Sequence, residues 1–444
     1  MDLTTGSIPR QVVLFSLPLL GTLMLQLLFN AADVAIVGRF SSHRALAAVG
    51  ATSSLISLLV NLLVGISVGC NVVAAHAFGS GDRPRMDRVL HTSILFSLIA
   101  GCLLAVAGVC LAKPLLLWME TPPDVLDAAA LYMRIYFAGM PFLQVYNFGA
   151  ALLRAVGDTR RPFLYLVFSG CLNVALNLFF VLGFHMAVEG VAMATVLSEG
   201  VAMAMVCRAL ARTGEGCHLT GKGLSIHWRT LGKMLSIGIP AGIQSCCFSF
   251  ANVVIQSAIN SFGSLAVAGS AAALNWECLV WTGSYCYNQT VTSFVAQNCG
   301  AGKLQRVKDS IRWCLIMGTA APSLMGLLCC LWAVPLLHVF NDDPEVIQWG
   351  AQRMYTVLSG YAILGMMDTL CGAIRGMGRT LLVTVIMLVG VCGLRVVWTQ
   401  FVFPFHPTIS FLFLSYPISW FLPIFPMFLY LKALLKDFAR HAHA

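Results

Sequence analysis

Ala112-Lys113-Pro114-Leu115-Leu116 runs on to Met119, Pro123 and Val125; Ala333-Val334-Pro335-Leu336-Leu337 runs on to Phe340, Pro344 and Val346 in the same register. The offset from Ala112 to Ala333 is 221 residues, and it recurs. Leu153-Arg154-Ala155-Val156-Gly157-Asp158-Thr159 answers to Ile374-Arg375-Gly376-Met377-Gly378-Arg379-Thr380, and Gly79-Ser80-Gly81 to Gly300-Ala301-Gly302. Toward the ends the register drifts by one or two positions: Pro18 answers to Pro240, and Leu46-Ala47-Ala48-Val49-Gly50 to Leu265-Ala266-Val267-Ala268-Gly269. The chain is a tandem duplication. Duplicated membrane halves are the architecture of secondary transporters, with the substrate site where the halves meet.

Composition says that the repeated unit lies in a membrane. The chain is 59% hydrophobic and 10% charged, with mean hydropathy +0.84; a soluble domain carries about 25% charged residues. Twelve apolar runs fall at roughly 12–38, 48–76, 92–113, 128–153, 162–185, 188–211, 234–260, 264–297, 310–334, 347–373, 380–403 and 409–434. Each can cross a hydrocarbon core of ~30 Å, and no hydrophilic stretch between them is long enough for a soluble domain. The expected fold is an all-α membrane protein of twelve transmembrane helices in two pseudo-symmetric six-helix bundles. Residues 1–211 would form the first lobe and 234–444 the second. A cytoplasmic linker, 212–233, carrying Gly214, Gly216, Gly221 and Gly223, would tether them. An even number of spans per half puts the pseudo-two-fold axis along the membrane normal. The first span carries Asn30 and Asp33, lacks a basic start and is too long for a signal core, so it is expected to be retained.

The net charge of +9 is not a nucleic-acid footprint. Of the 27 Lys and Arg, 21 fall at the termini and in loops after even-numbered spans, three (Arg39, Arg44, Lys113) on the opposite side, and three within spans. The positive-inside rule then places both termini in the cytoplasm of a multi-pass inner-membrane protein. The 16 cysteines form no CxxC pair and lie mostly in apolar spans, as small packing residues do. His76, His91, His185 and His338 are scattered and paired acidic metal motifs are absent, which disfavours an intramembrane transferase. No phosphate-binding glycine loop is present, so this chain is not an ATP-driven pump. No enzyme activity and no cofactor are expected.

Several segments together resemble the multidrug and toxic compound extrusion (MATE) family of bacterial transporters. They are Pro18 with Asn30 and Asp33; the 153–159 segment quoted above; Asn173-Val174-Ala175-Leu176-Asn177; Gly190-Val191-Ala192-Met193-Ala194-Thr195; and Val295-Ala296-Gln297-Asn298-Cys299-Gly300-Ala301-Gly302. The resemblance is closest to the branch whose ion-coupling residues sit in the N-terminal lobe. It implies two rocking lobes that export organic compounds in exchange for a cation.

Ionisable residues inside spans call for an account, because intramembrane charge is costly and usually faces a cavity or a partner. Asp33 lies six residues before Arg39, or roughly 9 Å from the outer boundary at about 1.5 Å per residue. Asn177 lies eight residues before His185, Thr195 six after Glu189, and Tyr132 near the outer start of the fourth span. All four share one depth, with Asn173 a turn from Asn177 on the same face. The resemblance assigns these five residues to a cation-coupling network. The family position at Asn177 is commonly an aspartate, so the network here holds one carboxylate. A lone carboxylate suits a proton better than Na⁺, which wants several oxygens and compensating charge. A Na⁺ ion at Asp33, Asn173, Asn177 and Thr195 stays open, with Glu199, one turn from Thr195, as a second acid. The alternative roles are a structural carboxylate for Asp33, interhelical hydrogen bonding for the amides and Thr195, and an interfacial ring for Tyr132.

In the second half, Glu277, Asp368 and Arg395 lie within spans. They face substrate, or Arg395 neutralises Glu277 or Asp368 as a buried pair. Pro18 and Pro240 occupy equivalent points and are candidate hinges, since proline removes an intrahelical hydrogen bond. Trp276, Trp281, Tyr285 and Tyr287 offer π faces to an organic cation, or simply pack. The expected function is cation-coupled export, H⁺ favoured over Na⁺, of cationic or amphipathic small molecules by a monomer in the lipid bilayer. The alternative is a lipid-linked oligosaccharide flippase of the same superfamily.

Overall fold

The computed structural model describes residues 1–40, 43–119, 121–212 and 218–442, and every regular element among them is helical. The linker glycines Gly214 and Gly216 lie outside the described residues. In order the helices are α1 (Ile8–Phe40), α2 (His43–Gly79), α3 (Arg83–Trp118), α4 (Pro123–Ala138), α5 (Met140–Ala155), α6 (Arg160–Leu178) and α7 (Val188–Arg212) in the first half. The second half has α8 (Trp228–Asn260), α9 (Ser264–Gly300), α10 (Leu304–Leu331), α11 (Ala333–His338), α12 (Pro344–Leu358), α13 (Tyr361–Gly376), α14 (Thr380–Met387), α15 (Leu394–Val397), α16 (Ile409–Phe413), α17 (Ser415–Phe421) and α18 (Ile424–Ala442). Short π-helical stretches, Phe179–Gly183, Leu388–Gly393 and Trp398–Val402, extend α6 and flank α15.

Twelve spans follow from these helices. Among the described residues nine segments are long and apolar enough to cross a membrane, and α12–α13 makes a tenth that bends by 47°. The other two are α4–α5 and α9. The fourth and tenth spans, expected as continuous helices, are each broken at the same point of the repeat, Gly139 and Gly360. At the first break Pro141 cannot donate to the helix ladder, and α3 comes so close that a Cβ on Gly101 would stand 2.6 Å from the Pro141 Cα. The C-terminal half of α9 is polar and buried, with Asn288, Gln289, Thr290, Thr292, Ser293, Gln297 and Asn298. Such groups need partners away from water, and the repeat supplies them at matching places. Asn71 donates to Ala151 O at 3.0 Å, and its repeat counterpart Thr292 donates to Gly372 O at 3.0 Å. The glycines that first marked the repeat close equivalent turns. Gly157 and Gly378 have φ of 84° and 79°, the left-handed conformation that ends a helix at little cost to glycine.

The described residues form two compact units that exchange arms. One comprises Met1 and Leu17–Gly242, the other Asp2–Ser16 and Ile243–Ala444. Both α1 and α8 therefore start in one unit and continue in the other, changing within a turn of Pro18 and Pro240. In the second unit Arg306 donates to the carbonyls of Leu3, Thr5 and Gly6, Lys303 to Thr4 O, and Asn298 to Leu3 O. The Gln297-Asn298 motif thus anchors the N-terminal arm. In the first unit the described end of the linker docks on α3. Thr220 N donates to His91 Nε2 at 3.2 Å, and His227 N to Thr92 Oγ1 at 3.1 Å.

The arm of α8 crosses α2 at four small residues. Gly65 and Gly69 face Gly238 and Gly242, and a Cβ on Gly69 would lie 2.1 Å from Met234 O. Spaced small residues let membrane helices approach closely. Gly69→Leu is therefore expected to destabilise the protein by about 1–3 kcal/mol through overpacking, read as a lower melting temperature in detergent. An unchanged melt would mean that the two helices do not meet there.

Candidate functional site

In the first unit α1, α6 and α7 carry one hydrogen-bonded chain, buried at Asn173 and Asn177 and half-buried at Asp33 and Thr195. Asn177 Nδ2 donates to Asp33 Oδ1 at 2.6 Å and stands 3.2 Å from Asn173 Oδ1. Asn173 Nδ2 donates to Thr195 Oγ1 at 3.3 Å, and Thr195 donates on to Val191 O at 3.0 Å. Asn173 and Asn177 lie one turn apart on α6, so both amides face the same neighbours; the π-helical stretch begins two residues later. Such insertions are frequent at functional sites. The structure thus brings four of the five expected residues together. The fifth, Tyr132, is buried beside Met133, Ile36, Val37, Val181, Val188 and Val191 in one apolar cluster, its ring stacked on Tyr136 at 6.2 Å. Ile36 and Val37 lie a turn beyond Asp33, Val181 a turn beyond Asn177, and Val191 a turn before Thr195. The cluster therefore walls the polar chain at that end. Glu199 lies a turn along α7 from Thr195 and is half-buried.

The chain has more acceptors than donors. Asn177 Oδ1 is buried with no hydrogen-bond donor, and a buried unpaired acceptor costs about 1–3 kcal/mol. Together with the Asp33 carboxylate, Asn173 and Thr195, it forms an oxygen set that fits a proton or a small hard cation. Among the described residues no group of three or more His, Cys, Asp or Glu side chains could hold a metal ion.

In the second unit the expected pairing is corrected. Arg395 neutralises neither acid. Glu277 on α9 is held by Arg353 on α12, with Nε 2.7 Å from Oε1 and Nη2 2.9 Å from Oε2, both side chains buried. Tyr361 donates to the Glu277 backbone carbonyl at 3.1 Å. Asp368 accepts from Ser284 at 2.8 Å. Arg395, at 4% exposure, donates to Asn252 Oδ1 at 2.8 Å and Ser419 Oγ at 3.2 Å, and lies 4.2 Å above the Tyr416 ring. Arg353 is the residue that sequence reasoning missed. Its signal is the amphipathic Pro344–Leu358 segment, which turns one arginine inward among Val346, Ile347, Met354 and Val357. Trp276 donates to Leu336 O and meets Phe340 edge-on, so it packs. Trp281 stacks on Tyr285 at 5.0 Å and keeps 44% of its surface exposed.

The comparisons with known proteins agree with this architecture. The family model described as MatE matches residues 18–179 and again 240–400, the two copies of the repeat. A Bacillus subtilis protein named "Probable multidrug resistance protein YpnP" is 26% identical, covering 90% of this chain and 89% of its own length. A Shewanella oneidensis protein named "FAD transporter" is 25% identical, covering 87% and 86%. Among solved structures, an outward-facing multidrug resistance MATE transporter of the MOP superfamily superposes with a TM-score of 0.90 at 20% identity, covering 99% of this chain and 98% of that one. A repeat matched twice over more than half the sequence, in twelve membrane helices, makes this chain a member of the bacterial multidrug and toxic compound extrusion family of transporters.

Proposed function

We propose that the protein exports amphipathic organic cations in exchange for protons across the inner membrane, with Asp33 as the proton-exchanging group. The observation that carries this reading is the Asp33–Asn177 contact at 2.6 Å, beside an Asn177 oxygen that lacks a donor. Charged Asp33 accepts from the amide. Protonated Asp33 becomes a donor, and its nearest unsatisfied acceptor is Asn177 Oδ1. Taking up that bond requires the amide to turn over, which passes the change to Asn173 and Thr195. Two hydrogen-bonded states of α1 against α6 and α7 follow, one for each protonation state. Pro18 gives α1 the place to bend between them, and Pro240 does the same for α8. A substrate drives the cycle only through its differential affinity for the two states. The oxygens of Asp33, Asn173, Asn177 and Thr195 would also be the holders of a Na⁺ ion, supplying compensating charge from one carboxylate. The excess of basic residues at the termini and linker side supports cytoplasmic termini. Small-molecule substrates are supported by relatives named for multidrug resistance and FAD transport.

The direct test is efflux of an organic cation from proteoliposomes under H⁺ and Na⁺ gradients imposed separately. A pH gradient alone is expected to drive transport. Efflux that follows Na⁺ at fixed pH and ignores the pH gradient would overturn proton coupling. Asn177→Asp restores a second carboxylate and is expected to raise Na⁺ dependence in the same assay; no change would mean that Asn177 is not a cation ligand.

A further inference from the structure

In the second repeat the spans equivalent to those of the Asp33 site carry a positive charge, although Asp33 itself falls on Ile255 and Asn177 on Thr399. Counting on by 221 or 222 residues, Asn173 falls on Arg395, Thr195 on Tyr416, Ser198 on Ser419 and Asn30 on Asn252. The local geometry keeps the correspondence. Ser198 donates back to Thr195 O at 2.9 Å, and Ser419 to Tyr416 O at 2.8 Å. A π-helical stretch follows Asn177 at Phe179–Gly183 and follows Arg395 at Trp398–Val402. The first unit thus holds an acid among amides on its first, fifth and sixth spans. The second unit's equivalent spans hold a guanidinium bound by Asn252, Ser419 and the Tyr416 face.

Among the described residues no acid pairs with Arg395. Arg353 lies 5.8 Å above the same Tyr416 ring and is neutralised by Glu277, which leaves Arg395 as the net positive charge of the cluster. Buried charges are ordinarily paired, and its two hydrogen-bond partners here are neutral. Asn252, one of them, is exposed, so the cluster reaches the protein surface at that residue. We infer that Arg395, with Asn252, forms an anion site that takes the carboxylate of a zwitterionic substrate. The inference rests on the reading of the protein as an organic-cation exporter and narrows its substrates to those that also carry an acid group. Arginine recognises carboxylate through paired, charge-assisted hydrogen bonds.

Rhodamine B, a xanthylium cation bearing a free carboxylate, and its ethyl ester, which lacks that charge, form the probe pair. Binding of each to the detergent-purified full chain is read by fluorescence anisotropy with no ion gradient, so proton coupling does not enter. The acid is expected to bind at least about tenfold tighter than the ester, the scale of a hydrogen bond to a charged group. Arg395→Gln is expected to erase the preference by weakening the acid alone. Asn252→Asp, at an exposed position, sets a carboxylate against Arg395 and is expected to erase it too, even if Arg395→Gln fails to fold. Equal binding of acid and ester by the unmodified protein, or a preference surviving Asn252→Asp, would overturn the anion site and leave the cation exporter standing. Binding of neither probe would overturn both.

Discussion

Asp33→Asn is expected to abolish gradient-driven export while leaving the protein folded and able to exchange substrate. The amide has the shape of the carboxylate, and its oxygen can still accept from Asn177 Nδ2, now at 2.6 Å from Asp33 Oδ1. What it cannot do is change protonation state. Coupling between two ligands through a protein is typically worth about 1–3 kcal/mol, or about 5–150-fold in affinity, and all of it passes through the ionisable group in the proposed cycle. Gradient-driven efflux in proteoliposomes is therefore expected to fall to the leak rate. Counterflow, which needs substrate on both sides and no ion gradient, should persist. Full gradient-driven export by Asp33→Asn would remove Asp33 from the mechanism.

Glu277→Ala is expected to destabilise the protein more than any other single change considered. The substitution leaves Arg353 buried at 3% exposure with its bidentate partner gone. Removing one member of a buried ion pair costs about 3–5 kcal/mol, because the remaining charge is neither solvated nor paired. The double change Glu277→Gln with Arg353→Met removes both charges and should recover most of the loss. The readout is the melting temperature in detergent beside the transport rate. A protein that melts normally but has lost transport would make Glu277 a substrate-binding acid and not a structural one.

Much of the fold could be read from the sequence, because the bilayer leaves few choices. A span must be apolar for about twenty residues, and twelve such runs in two registered sets admit one topology. The breaks at Gly139 and Gly360 could not be read this way. An apolar run stays apolar across a bend, and only Pro141 hinted at one. The meeting of Asp33, Asn173, Asn177 and Thr195 was legible from their shared depth and the family resemblance together, whereas Tyr132 at the same depth packs in the apolar cluster instead. The Glu277 partner was not. Depth does not say which way an arginine turns: Arg353 reaches Glu277, whereas Arg395 reaches Asn252 and Ser419. Nor did the sequence reveal the purpose of Gln297 and Asn298, which meet backbone atoms of Leu3, 294 and 295 residues away.

The exchanged arms also order events during synthesis. Asp2–Ser16 leaves the ribosome first, yet the residues that hold it, Gln297, Asn298, Lys303 and Arg306, follow nearly three hundred positions later. Until then the carbonyls of Leu3, Thr5 and Gly6 have only water or lipid headgroups to meet. The arm of α8, by contrast, finds α2 and α3 already made. The first unit is complete once Gly242 has emerged, whereas the leading arm must wait for the rest of the second unit, which is synthesised last. A ribosome stalled between these two points holds a nascent chain with one finished bundle and a loose leading end, the form in which a membrane chaperone or a protease would meet it.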